Sequence, residues 1–204
     1  MIKNIVFDFG GVLIDWNPLY LYNNYFGDEE KARWFIANIC TMEWNVQMDA
    51  GKSFAEGVAE LTAQYPEWAD AIAVYDTRWR EMVGGPITGM LEVARGLKAA
   101  GYHLFGLSNW NWDKFSTIMD DFPVLDELEG RVVSGQEYVI KPDPRIYDIL
   151  FKRFHLIPSE SLFVDDNSAN IEGGRLAGMQ TLQFKDTAQF VKDLKNTFDI
   201  EPLQ

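Results

Sequence analysis

Apolar residues along this 204-residue chain follow two different periods, and the change between them divides it. The run Ile5-Val6-Phe7 stops at Asp8-Phe9-Gly10-Gly11 and resumes as Val12-Leu13-Ile14-Asp15. A short apolar run ended by a carboxylate and glycines predicts a buried parallel strand with Asp8 at its carboxyl end, where open α/β sheets bind ligands. From about Leu19 to Met82 the spacing turns helical, with Tyr22, Tyr25 and Phe26, then Trp34, Phe35 and Ile39, then Val58, Leu61 and Tyr65. Asp28 and Ser53 stand where helix caps belong, and Pro66 and Gly84-Gly85-Pro86 are breaks. This stretch reads as an all-helical insertion without strands, hinged near Asp15 and again at 84–86.

After Pro86, strands and helices alternate. Helices are expected over 88–100, 113–119, 168–177 and 188–197, with another opening at Asp143-Pro144, an N-cap followed by proline at the first helical position. Strands are expected over 103–107, 161–164 and 180–184, with a short segment at 131–134. Such alternation argues for parallel βαβ units with right-handed crossovers, an α/β fold.

Composition narrows the possible partners. A formal net charge of -13 repels nucleic-acid phosphates and anionic membranes, so neither is an expected partner. A single cysteine, Cys40, excludes a disulfide framework within the chain and suits a reducing cytoplasm. No apolar run reaches membrane-spanning length, and the chain starts directly in a strand without a signal-peptide pattern. The expectation is a soluble cytoplasmic protein.

Candidate chemistry sits at strand ends. The strand at 103–107 runs into Ser108-Asn109, short neutral donors beside freed backbone N–H groups, which suit a phosphate. The strand at 161–164 runs into Asp165-Asp166, with Asn170 one helical turn on. Adjacent carboxylates need a cation or full solvation, and no basic side chain lies near them in sequence, so they read as hard-cation ligands. Lys141, before Pro142, can offset negative charge between these loops. The two histidines, His103 within a strand and His155 at a helix end, read as structural. Trp16, Trp44 and Gln47 in the insertion, and Trp110, Asn111 and Trp112 beyond Ser108, are placed to stack on or hydrogen-bond to a polyhydroxylated ligand.

Asp8 with Gly10, Ser108-Asn109, Lys141-Pro142 and Asp165-Asp166 with Asn170, in that order, resemble the haloacid dehalogenase-like hydrolase superfamily over essentially the whole chain. The resemblance implies a Rossmann-like three-layer parallel-sheet core, residues 1–14 and 85–204, with a helical cap at 15–84 inserted after the first strand. It further implies a Mg²⁺-dependent phosphatase of small phosphorylated metabolites. Asp8 would attack phosphorus, Ser108 and Lys141 would hold and neutralise the phosphoryl group, and Asp8, Asp166, Asp165 and the Gly10 carbonyl would ligate the metal.

One position departs from the pattern. Most phosphatases of the superfamily carry an acid-base aspartate two residues after the nucleophile, where this chain has Gly10. The subgroup it resembles includes sugar-phosphate phosphatases, one acting on glucose 1-phosphate, whose hemiacetal leaving group needs less protonation; Asp15 is a possible substitute acid. A 2-haloacid dehalogenase needs neither acid nor metal, and a catalytically silent binding protein needs no acid; both remain open as alternatives. The aromatic-rich cap is compatible with a monomer or a weak homo-oligomer.

Overall fold

The computed structural model describes residues 1–202. Strands are Asn4–Phe7 (β1), Ile14–Trp16 (β2), Val83–Pro86 (β3), His103–Ser108 (β4), Gly130–Val133 (β5), Ser161–Asp165 (β6) and Gln180–Gln183 (β7). Between β2 and β3 lie the helices Pro18–Phe26 (α1), Glu29–Asn38 (α2), Met42–Asp49 (α3), Phe54–Gln64 (α4) and Ala69–Thr77 (α5). The remainder are Met90–Ala99 (α6), Trp112–Phe115 (α7), Ser134–Glu137 (α8), Pro144–Phe154 (α9), Ser168–Leu176 (α10) and Thr187–Phe198 (α11).

The main sheet is parallel, in the order β5-β4-β1-β6-β7, so β1 is central and fully enclosed. Successive side chains of a strand face opposite ways, and β1 shows it. Ile5 and Phe7 pack with Val93 and Leu97 of α6 and Phe190 and Leu194 of α11, whereas Val6 packs with Ile146, Tyr147 and Leu150 of α9. That double burial is why the strand reads as an unbroken apolar run. The three layers place Asp8, Ser108 and Asp165 side by side at the carboxyl ends of β1, β4 and β6.

The insertion buries its own core. Tyr22 and Phe35 lie 4.8 Å apart between ring centroids, and Trp44 meets Tyr75 at 4.9 Å, edge to face. Asp28 and Ser53 cap α2 and α4 as expected, Ser53 in a reciprocal capping box with Glu56.

Two elements differ from the sequence expectation. The two connections to the insertion are not helical or bare hinges: β2 and β3 pair antiparallel, with a register shift between Asp15 and Trp16. Three residues are too few to display alternation, and the partner contains Gly84-Gly85-Pro86, which reads as a break. The helix expected over 113–119 shrinks to α7, because the Ser116 and Thr117 hydroxyls donate back to the Asp113 and Lys114 carbonyls and 3₁₀ turns follow.

Candidate active site

Local sequence sets up the first corner. After β1 the chain turns through Gly11 at φ 76°, a left-handed conformation that glycine adopts without strain. A Cβ there would lie 2.6 Å from Oδ2 of Asp166, so the same glycine lets Asp166 lean against the turn. Gly10 differs: its φ is not in the left-handed region, and a Cβ would meet only Trp110, at 3.7 Å.

The hydrogen bonds on Asp8 converge on one oxygen. Oδ1 accepts from the Ser108 hydroxyl at 2.7 Å and the Phe9 N–H at 2.7 Å, and lies 2.9 Å from the Lys141 ammonium. That pattern leaves Oδ2 without a hydrogen bond from the described residues. Ser108 thus engages the Asp8 carboxylate itself. Lys141, its side chain fully buried, also donates to Asp165 Oδ2 at 2.6 Å and to the Leu107 carbonyl at 2.9 Å. The acidic pair therefore does have a cation beside it, brought from 24 residues away by the fold.

Asp165 and Asp166 take different environments. Asp165 is fully buried, and besides Lys141 it accepts from the Asn167 N–H at 2.8 Å and from Asn170 Nδ2. It orients the lysine. Asp166 is exposed to the site, and its main-chain oxygen accepts from the Gln183 side chain at 2.9 Å. One oxygen from each of Asp8, Asp165 and Asp166 lies within 4.8 Å of the others. Three carboxylates against one ammonium, with a Cβ-free turn under Asp166, fit a hard divalent cation.

Burial pushes the Asp8 carboxyl up to about 7, against the pull of Lys141 and with a further push from Asp165. Asp166 is raised by burial and then by Asp165. Burial opposes the Lys141 charge, but Asp165 and Asp8 outweigh it and hold the ammonium above its ordinary value.

A cavity of about 330 Å³ opens from Asp8 toward the cap. Trp16, Met42, Val46, Phe54, Trp79 and Trp110 supply its apolar wall, and Asn45, Asp49, Asn109, Asn111, Asn167 and Asn170 its polar one. Trp16 lines it with an indole N–H that is buried without a partner. Asn109 reaches the cavity, but its amide is used at both ends: it donates to the Lys141 carbonyl at 3.0 Å and accepts from the Lys141 N–H at 2.8 Å, which fixes the lysine loop.

Other expected contacts lie elsewhere. Trp44 donates to the Gly57 carbonyl within the cap core, Gln47 accepts from Lys52, and Trp112 packs on Phe115. Asp15 accepts the Tyr20 hydroxyl at 2.6 Å and does not line the cavity. His103 pairs with Glu129 at the start of β4, and His155 ends α9 at φ 55°. The sequence pattern does not single out Asp49 or Asn45 as cavity residues. A polar i,i+4 pair on the same helix as buried Trp44 and Met48 was the available signal.

The profile of the haloacid dehalogenase-like hydrolases matches residues 2–178. The chain belongs to that family. Among similar members, a D-ribitol-5-phosphate phosphatase from Bacteroides thetaiotaomicron is 30% identical over 216 positions, spanning 95% of this chain and 97% of that protein. A haloacid dehalogenase-like hydrolase structure from Porphyromonas gingivalis superposes with a TM-score of 0.74 at 21% identity, covering 98% of this chain and 100% of that one. A haloacid dehalogenase family enzyme from Bacteroides thetaiotaomicron, in complex with magnesium and inorganic phosphate, superposes with a TM-score of 0.69 at 22% identity over 92% and 96%.

Proposed function

We propose that this hydrolase is a Mg²⁺-dependent phosphomonoesterase of a small metabolite that is uncharged apart from its phosphate, a sugar or polyol phosphate such as glucose 1-phosphate or a pentitol 5-phosphate. The observation that carries the reading is the grouping of Asp8, Asp165, Asp166 and Lys141 at the carboxyl end of the main sheet. The whole-length similarity to a polyol-phosphate phosphatase supports the substrate class. The cavity supports it too: none of its described lining residues is Lys, Arg or His, so it offers no cationic partner to a second anionic group.

Asp8 would hold the metal together with Asp166 and the Gly10 carbonyl, with Asp165 completing the carboxylate group. Bound there, magnesium would supply Lewis-acid screening of the phosphoryl oxygens. Asp8 Oδ2 attacks phosphorus while Ser108 and Phe9 N–H fix the carboxylate, and Lys141 offsets the charge that builds on the phosphoryl group. The aspartyl ester splits one displacement into two easier ones. The apolar wall excludes bulk water, and the asparagines hydrogen-bond to substrate hydroxyls.

A panel of phosphometabolites with 2-chloropropionate, assayed with and without EDTA, tests the reading. Hydrolysis of sugar or polyol phosphates that EDTA abolishes, and that Asp8→Asn eliminates, is the expected result. Chloride release without phosphate release would replace the reading with a dehalogenase, and neither release would leave a binding protein.

A further inference from the structure

A phosphatase of this design needs an acid-base group that Gly10 lacks, and the question rests on the phosphomonoesterase reading above. We infer that the Asp49 carboxyl, reaching the cavity from the end of α3, protonates the leaving oxygen and then activates the attacking water. It lines the same cavity as Asp8 and Asp166, and these three are the carboxyl groups among its described lining residues. Asp8 is the nucleophile and Asp166 faces the Gly11 turn. Asp15 is turned to Tyr20, and neither histidine lines the cavity.

The carboxyl is held, not loose. Its Oδ1 accepts from the Asn111 N–H at 3.1 Å, three residues beyond Ser108, and its Oδ2 from Asn45 Nδ2 at 3.1 Å. Ser134 Oγ donates to its main-chain oxygen at 2.6 Å. A carboxylate oxygen accepts more than one hydrogen bond, so each keeps a site for a proton. Burial pushes this carboxyl up to about 7, against the Asn111 N–H and the charge of Lys141. The groups facing it are Lys141 from the core, Tyr75 of α5 through Asn45, and the neutral Asn45 and Asn111. A group that titrates near working pH exchanges protons well in both directions.

In the first step the Asp8–phosphorus bond forms and the bond from phosphorus to the ester oxygen breaks. Its electron pair stays on that oxygen, which takes the Asp49 proton and leaves as the alcohol. In the second, Asp49 carboxylate takes a proton from water as the water oxygen bonds to phosphorus. The Asp8–phosphorus bond breaks and inorganic phosphate is released, with Asp49 protonated again.

Nitrophenolate leaves without protonation, so p-nitrophenyl phosphate separates the two steps. In Asp49→Asn, rapid-quench kinetics should keep a burst of one nitrophenolate per enzyme, while steady turnover falls by roughly 10²–10⁴-fold. Adding Gly10→Asp to that variant should restore turnover, since the position has room for a side chain. In the wild type, decay of the phosphoenzyme, in which Asp8 is esterified and carries no proton, should speed up as pH rises through about 7. That measurement decides the matter if Asp49→Asn does not fold. Turnover of folded Asp49→Asn within threefold of wild type, equal loss of burst and turnover, or decay flat with pH would overturn the assignment of Asp49 alone. A wild type that forms no phosphoenzyme would overturn the phosphatase reading as well.

Discussion

Lys141 bridges the Asp8 and Asp165 carboxylates and a main-chain carbonyl with its side chain fully out of water. Removing the cation would leave two buried carboxylates facing one another. Breaking a buried pair in this way costs about 3–5 kcal/mol, so Lys141→Ala should melt far below wild type in calorimetry and show no phosphatase activity. Gly11→Ala should lose roughly 1–2 kcal/mol from its left-handed backbone, and should need more magnesium for half-maximal activity because its methyl displaces Asp166. Asp49 affects stability through pH. Its pKa rises from 3.8 to about 7 on folding, so the native state binds the extra proton between those values. Its contribution is therefore complete below pH about 4 and lost as pH rises through about 7. Thermal melts should show Asp49→Asn less destabilised than wild type over that rise. Asp8, Ser108, Asp165 and Asp166 stand out in the sequence because each ends or follows a recognisable apolar run, whereas Lys141 stands out only through its place in the family resemblance. The task of Asp49 does not show there, because its partner Asn111 lies 62 residues away.

Among elements, the strands of the main sheet and their order of chemistry followed from apolar runs ending in polar residues. The β2–β3 ribbon did not, since its pairing is decided by partners some seventy positions apart and its glycines carry no pattern. A second link hidden from sequence is the docking of α3 on the core. The Asn111 side chain donates to the Met48 carbonyl at 3.1 Å and accepts from the Lys114 N–H at 3.1 Å, so one residue both caps α7 and ties the cap down. Asn111→Ala leaves these groups unpaired at a buried site, a loss of about 1–3 kcal/mol. It should lower Tm, and in the folded variant raise KM more than it lowers kcat, a split that steady-state kinetics on the purified protein can read.

For the molecule as a whole, a cation that binds only the native state adds stability by mass action, about 2.7 kcal/mol at a hundred times its Kd. Melting temperature should therefore rise with magnesium, and Asp166→Asn should flatten that rise. No described helix is long and apolar enough to cross a membrane, and the family match agrees with the α/β fold that the alternating pattern predicts. The cavity wall has a kinetic consequence. Its described residues include three acidic side chains and no basic one, Lys141 is sealed beneath them, and the chain carries a net charge of -13. An approaching phosphate ester thus climbs a repulsive potential until it reaches the metal, the inverse of electrostatic steering. Salt shortens the reach of that field, to about 8 Å at physiological ionic strength. The second-order capture rate, kcat/KM, should accordingly increase as potassium chloride is added from low ionic strength, while departing inorganic phosphate is driven outward by the same field.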